Sequence, residues 1–184
     1  MRSKHVAISL AALATSVAPQ AIAQSPAVDA LPGLEGRAIV SIHDGDMLAS
    51  AYINGRLGPR ESADALSVLS LEDLSFATAP VSNSVAGAPT AVAVTPDGRY
   101  AVVSESFGPR PADGEGFRDL PIGENVTLID LSDLSAPRVV DTAAIGERLD
   151  GLSLSPDGDI VAVALHQNDG RGVAFVAIDD DAFG

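Results

Sequence analysis

Short apolar segments joined by compact polar turns recur along most of the chain. At 91–104 (AVAVTPDGRYAVVS) and 151–164 (GLSLSPDGDIVAVA), an apolar segment runs through Pro-Asp-Gly into a second one, and the two stretches align without a gap at an offset of 60. In such a turn proline presets φ, aspartate accepts a local hydrogen bond and glycine takes the left-handed conformation. Each stretch is predicted to be a β-hairpin, with Gly98 and Gly158 at positive φ.

A looser copy of this hairpin is predicted at 38–51, where Asp44-Gly45 is kept but His43 stands in place of the proline. A second element also repeats at an offset of 60: residues 65–75 (ALSVLSLEDLS) align with 125–135 (NVTLIDLSDLS). Each copy is predicted to be one strand that runs into an acidic turn.

The second element has a third version at 172–181 (GVAFVAIDDD), and residues 138–142 supply a further, outer strand after its second copy. The predicted unit is therefore hairpin, loop, strand, acidic turn and strand. Its strands show little polar alternation, which is typical of a sheet that is covered on both faces.

These features predict an all-β fold, a β-propeller of four-stranded antiparallel blades with about three blades present, over 36–86, 87–146 and 147–184. A two-layer sandwich would not explain the repeats. Single-chain propellers usually have about four to eight blades, and the third unit is expected to end without an outer strand. We therefore expect either a piece of a longer protein or a ring closed by two chains, with open blade faces that favour self-association.

The N-terminal segment has the pattern of an export signal. A basic head (RSKH) is followed by an apolar run at 6–17 and by the small-residue motif AIA at 21–23. This pattern predicts a signal peptide over 1–23 and a linker over 24–35, and hence a periplasmic or secreted protein. No later segment is long and apolar enough to suggest a membrane span.

The charge of the chain excludes several partners. Formal net charge is −14, and removal of the signal would leave nine arginines and no lysine against all 25 acidic residues. Such a chain is not expected to bind nucleic acid or anionic membranes. Cysteine is absent, so disulfides and thiolate metal sites are excluded. The acidic stretches match no metal-binding pattern, so we predict neither a metal nor a cofactor.

The segment TPDGRYAVVS at 95–104, followed by NVTLIDLSDLSAPRVV at 125–140, resembles the repeat of the YVTN / lactonase-like β-propellers. The family repeat differs in the strand after the turn, which reads Ala-Val-Val-Ser here. The resemblance implies the propeller fold and leaves function open, because that family includes lactone hydrolases, quinoprotein-like subunits and cell-surface proteins.

Arginines are scarce, yet they recur in the predicted loops between the second and third strands of each unit. Arg60 and Arg110 both follow a Gly-Pro step, and Arg171 lies in the third loop. Guanidinium groups suit carboxylates and phosphates, so these three residues predict an anion-binding face, unless each pairs with an acid of its own loop. His166, at a predicted strand end, is a further candidate.

Taken together, these features favour an exported binding or scaffolding module that takes a small anionic ligand or a protein partner. The alternatives are a lactonase-like hydrolase and a subunit of a quinoprotein-type dehydrogenase.

Overall fold

Regular structure in the described residues is almost entirely β. The computed structural model describes residues 33–83, 91–167 and 170–184. The predicted signal peptide and most of the predicted linker lie outside these ranges. The elements, in chain order, are β1 Ala38–His43, α1 Ala51–Asn54, β2 Ala65–Ser70, β3 Phe76–Pro80, β4 Val92–Val94, β5 Tyr100–Ser104, a 3-10 turn at Phe117–Asp119, β6 Asn125–Asp130, β7 Arg138–Ala144, β8 Leu149–Leu154, β9 Ile160–Gln167, β10 Gly170–Asp179 and β11 Ala182–Phe183.

The strands form three antiparallel sheets in which sequence neighbours pair. The first sheet has the order β1-β2-β3, the second β4-β5-β6-β7 and the third β11-β10-β9-β8. The predicted all-β class is confirmed. Sheets of three or four strands in meander order are compatible with propeller blades. None of the described helices is long and apolar enough to cross a membrane.

The two hairpin turns form as their sequence predicts. Gly98 has φ +75° and Gly158 has φ +86°. Each glycine N–H donates to the residue three before it, at 2.8 Å to Thr95 O and 3.0 Å to Ser155 O. The left-handed glycines therefore close the β4–β5 and β8–β9 hairpins as predicted.

The hairpin predicted at 38–51 was wrong. Residues 38–43 form a single strand that pairs with β2, and α1 follows instead of a return strand. Gly45 is kept for another reason: a Cβ there would lie 2.6 Å from Ala63 O, so it allows close approach of the chain that leads into β2.

The turn that corresponds to Gly98 lies earlier in the chain, at Gly36. Gly36 has φ +68°. The carbonyl of the arginine after it accepts from Leu71 N at 2.8 Å, as Arg99 O accepts from Leu131 N at 2.7 Å. The first unit is thus shifted relative to the predicted hairpin, and any strand before its turn lies outside the described residues.

The sheets stack face to face, and the second sheet is covered on both sides. Alternate residues of β5 belong to two different hydrophobic cores. Ala101 and Val103 pack against the first sheet, and Tyr100 and Val102 pack against the third. All five residues of β5 are buried. This double coverage explains why the strands lack polar alternation.

The third sheet has an outer strand that the sequence did not predict. β11 pairs with β10 through Ile178 and Phe183. Phe183 N also donates to Asp141 Oδ2 at 2.8 Å, which ties β11 to β7 of the second sheet. The pairing was missed because two residues are too few to form a recognisable strand pattern.

The acidic turns repeat in detail. Asp73 Oδ1 accepts from Ser75 N at 3.0 Å and Ser75 Oγ at 2.7 Å, and Asp133 Oδ1 accepts from Ser135 at 2.9 and 2.6 Å. The bonds from Ser75, chiefly from its hydroxyl, lower the pKa of Asp73 to about 2.

Alanine at Gly158 should destabilise the protein more than alanine at Gly98. Both sites impose left-handed strain of about 1–2 kcal/mol on a residue with a Cβ, but only at Gly158 would that Cβ meet a neighbour, 2.8 Å from Pro96 Cδ. Gly172→Ala is the control, since its φ is not positive and nothing lies within 4 Å. Urea unfolding measures all three. Equal losses at Gly98 and Gly158 would contradict the expected contact.

Ser75→Ala should cost stability above pH 4 and lose its effect as the pH falls towards 2. The pKa of Asp73 is lowered in the folded state from its ordinary 3.8 to about 2, so its contribution is present above the unfolded pKa and disappears below the folded one. Urea unfolding at pH 5 and pH 2 checks this, with Ser41→Ala, at an exposed position of β1, as the control. A difference from wild type that is constant with pH would contradict it.

Candidate functional site

Two long loops, 44–64 between β1 and β2 and 105–124 between β5 and β6, pack on one another at one end of the sheets. Leu57 N donates to Glu115 O at 2.9 Å, and Phe117 N donates to Gly55 O at 3.1 Å. Leu57 is fully buried in a small core beneath the loops, with Met47, Ala51 and Leu120. The loops therefore form a packed structure of their own.

Arg110 holds this pair of loops together. Its Nη1 donates to Asp46 O at 2.5 Å, its Nη2 to Gly58 O at 2.9 Å and to Gly114 O at 2.7 Å, and its Nε to Gly114 O at 2.9 Å. Four of its five N–H donors are thus spent on main-chain carbonyls, and the side chain connects three stretches of loop.

Arg60 lies next to Arg110. Its Nη2 donates to Arg110 O at 2.6 Å and to Pro111 O at 3.3 Å, and these bonds leave Nε and Nη1 unengaged among the described residues. Within that part of the chain, neither arginine forms an ion pair with an acid of its own loop. The structure therefore brings together two of the predicted arginines, and Arg60 retains the donors that an anion would need.

Three aspartates converge at the base of the first loop. One carboxylate oxygen from each of Asp44, Asp46 and Asp64 lies within 4.8 Å of the others. Asp46 and Asp64 are buried. Asp64 accepts from Gly45 N at 3.0 Å and from Asn83 N at 3.3 Å. The antiparallel pairing of β1 with β2 creates the cluster, because it sets His43 opposite Ala65.

Burial and mutual repulsion shift the ionisation of this cluster. Desolvation, followed by the charges of Asp64 and Asp46, raises the pKa of Asp44 to about 7. Desolvation and Asp64 also raise the pKa of Asp46, against the opposing effect of the Arg110 N–H. The Tyr52 hydroxyl donates to Asp44 Oδ2 at 3.2 Å. The site thus holds two carboxylates, those of Asp44 and Asp46, whose negative charge is costly.

A cavity of about 310 Å³ opens beside the cluster. Its polar lining comes from Asp46, Asp64, Arg60, Arg110 and Ser82. Positive and negative groups share this wall, so it is suited to a ligand that carries both acceptors and a cationic group, or to an anion together with a cation.

His166 and Arg171 lie on the third sheet, where they are cross-strand partners in β9 and β10. His166 is exposed, with Nδ1 at 4.0 Å from Asp150 Oδ2. The side chain of Arg171 lies outside the described residues. Anion binding by Arg60, Arg110, Arg171 and His166 stays a prediction.

Sequence reasoning missed the three aspartates. The Asp44-x-Asp46 spacing was present, but it was assigned to a hairpin turn. Asp64 joins them only through strand pairing across a loop of some twenty residues, and no local pattern reports that contact.

Comparison with known proteins does not assign this chain to a family. No family model matches it, and no curated protein does. Among solved structures it is similar to a protein from Bacteroides uniformis described as a "putative 6-phosphogluconolactonase", at 12% identity and a TM-score of 0.29. The match covers 79% of this chain and 65% of the other. This chain thus spans less than two thirds of that protein, and a similarity this low carries no conclusion about activity.

Arg110→Ala should destabilise the protein by at least about 2 kcal/mol, because hydrogen bonds from a charged group each contribute about 1.5–3 kcal/mol and several are lost together. Arg110→Lys should recover little, since an ammonium cannot reproduce the planar fork. Arg118→Ala, at an exposed position of the same loop, is the control and should be neutral. Thermal and urea unfolding measure the effect. A neutral Arg110→Ala would show that the clamp is dispensable.

Proposed function

We propose that this chain is part of an exported β-propeller of the YVTN / lactonase-like type, and that it works as a binding and scaffolding module. The sequence repeats and the succession of stacked, blade-like antiparallel sheets support the propeller. Export rests on the N-terminal sequence pattern alone and places the mature protein in the periplasm or outside the cell.

The observation that carries the scaffolding role is the pair of apolar sheet faces that the described residues leave exposed at the two ends of the stack. On the first sheet Ile39 is 53% and Phe76 66% exposed. On the third sheet Val173 is 58%, Phe175 73% and Ile160 45% exposed. Apolar side chains gathered on one face in this way are characteristic of interaction surfaces.

Where two sheets of the chain pack together, each contributes one surface to the contact. The two exposed outer faces correspond to these two surfaces. Ile160 and Ala162 stand 60 positions after Tyr100 and Val102, which cover the third sheet. The outer face of the third sheet is thus equivalent to a surface that receives the next sheet.

The outer face of the first sheet corresponds to the other half of the contact between neighbouring sheets. Gly36 and Gly98 mark equivalent turns, and the same offset of 62 relates Ile39 to Ala101 and Ser41 to Val103. Ala101 and Val103 pack on the preceding sheet. Head-to-tail stacking of a second copy, or of further blades, would therefore repeat a contact that the fold already makes twice.

The two packed loops, 44–64 and 105–124, supply the ligand-binding part of the proposal. Arg60 offers unengaged donors beside the 310 Å³ cavity, and guanidinium favours carboxylate or phosphate oxygens. A small anionic ligand or an acidic segment of a partner is the chemistry that suits it. The neighbouring aspartates restrict binding to ligands that avoid or neutralise them.

Phe175→Ser should weaken self-association of the protein, because it removes the most exposed aromatic side chain of the third-sheet face. Light scattering over a range of protein concentration should show dimers or larger species for the wild type and a shift towards monomer for the variant. Ile53→Ser is the matched control: Ile53 is 90% exposed, but on α1, away from both faces. A wild type that stays monomeric at high concentration, or equal effects of both substitutions, would refute the scaffolding role.

A further inference from the structure

The aspartate cluster contains oxygen atoms that the protein leaves without partners. Asp46 is only 6% exposed, and its Oδ2 accepts from Arg110 N at 3.1 Å. Its Oδ1 is buried and has no hydrogen-bond partner within the described residues, and the same holds for Asp44 Oδ1. A buried carboxylate oxygen without a partner is strongly unfavourable, and native proteins seldom retain one without a reason.

Nearby donors satisfy the other oxygens of the cluster. Tyr52 donates to Asp44 Oδ2, and main-chain N–H groups donate to both oxygens of Asp64. The guanidinium of Arg110 donates to carbonyl oxygens. The charges of Arg60 and Arg110 act on Asp46, but no arginine of the described chain makes an ion pair with Asp44 or Asp46. The structure thus leaves one oxygen of Asp44 and one of Asp46 without a hydrogen-bond partner among the described residues.

A separate group points to the same place. The hydroxyl oxygen of Ser82 is buried without a hydrogen-bond partner among the described residues. Ser82 lines the same cavity as Asp46 and Asp64. Of the two carboxylate oxygens without a partner, that of Asp46 belongs to a residue of this cavity wall. A neutral oxygen and a carboxylate oxygen are the ligand types of hard divalent cations.

We propose that Asp44, Asp46 and Asp64 bind a hard divalent cation, with Ca²⁺ the first candidate. Ca²⁺ accepts carboxylates and neutral oxygens in irregular geometry, whereas Mg²⁺ requires a near-ideal octahedron. A cation there would offset the mutual repulsion of three carboxylates and supply the partner that the unpaired oxygens of Asp44 and Asp46 lack.

The bound cation would also fix the base of the first loop. Asp44 and Asp46 follow β1, and Asp64 immediately precedes β2. Binding would therefore join the two ends of a loop of some twenty residues, and the loop in turn packs on 105–124. This inference is independent of the proposed scaffolding role, which rests on the outer sheet faces.

The test is calcium binding by the full-length chain after removal of metal with EDTA. Calorimetric titration with CaCl₂ should show one site, and Ca²⁺ should raise Tm. Asp46→Asn should weaken binding by at least about tenfold, since even the loss of an outer partner of a metal ligand costs that much. Asp113→Asn, which removes the same charge from an exposed position of the second loop, should bind Ca²⁺ like the wild type.

A crossover in stability gives a second readout. Without metal, Asp46→Asn should melt at or above the wild type, because one buried charge is gone; with Ca²⁺ the wild type should melt higher. If Asp46→Asn fails to fold, Asp44→Asn, at a more exposed position, replaces it. Four results would overturn the proposal: no Ca²⁺ binding by the wild type, equal loss in Asp113→Asn, unweakened binding by the cluster variant, or a cluster variant that is more stable with and without metal. The last would show that protons neutralise the cluster.

The two proposals fail separately. Light scattering of the wild type and of Phe175→Ser, with and without Ca²⁺, reports on the sheet faces, whereas calorimetry of the Asp46 variant reports on the cluster.

Discussion

Burial of the second sheet on both faces is the constraint on which the rest of the molecule depends. Successive residues of β5 point to opposite sides, so Val102 packs on the third sheet while Val103 packs on the first. A polar group on either face must find a partner there, as the hydroxyl of Thr127 does with Thr142, or stay unsatisfied among the described residues, as Ser104 Oγ does. The stacking also fixes the order of the sheets. One face of the second sheet packs on the first sheet and its other face packs on the third.

Because of this constraint, the charged residues of the candidate site lie in the loops. With the strands occupied by packing, charged groups collect where strands end, and there they must be satisfied locally. Arg110 is an example, because its guanidinium donates hydrogen bonds to loop carbonyls that would otherwise lack a partner. The charges of Arg60 and Arg110 lower the pKa of Asp46, yet burial and the charge of Asp64 keep that pKa above its ordinary value.

The sequence predicts those parts of the fold that local patterns encode. The Pro-Asp-Gly turns at Gly98 and Gly158 were predicted correctly because proline, aspartate and glycine each have a defined place in such a turn. Asp44-Gly45 shares part of that pattern, yet Gly45 serves close packing against Ala63. The partners of Arg110 are carbonyls, which every residue has, so no residue pattern could report them. The meeting of Asp64 with Asp44 requires the pairing of β1 with β2, a contact that is distant in sequence.

The second unit shows how this fold surrounds a carboxylate oxygen of a buried acid with donors. Glu105 is the first residue after β5, as Asp44 is the first after β1, and it is 5% exposed. Its Oε1 accepts from Glu124 N at 3.3 Å and from Asn125 at 3.2 and 2.5 Å, so neighbouring main-chain and side-chain donors surround it. The first unit has three acids at the corresponding strand end and too few donors for their oxygens. Since the same framework gives one oxygen of Glu105 three donors, the unpaired oxygens of Asp44 and Asp46 are a property of the first loop, and a cation is the partner whose charge and ligand preference they match.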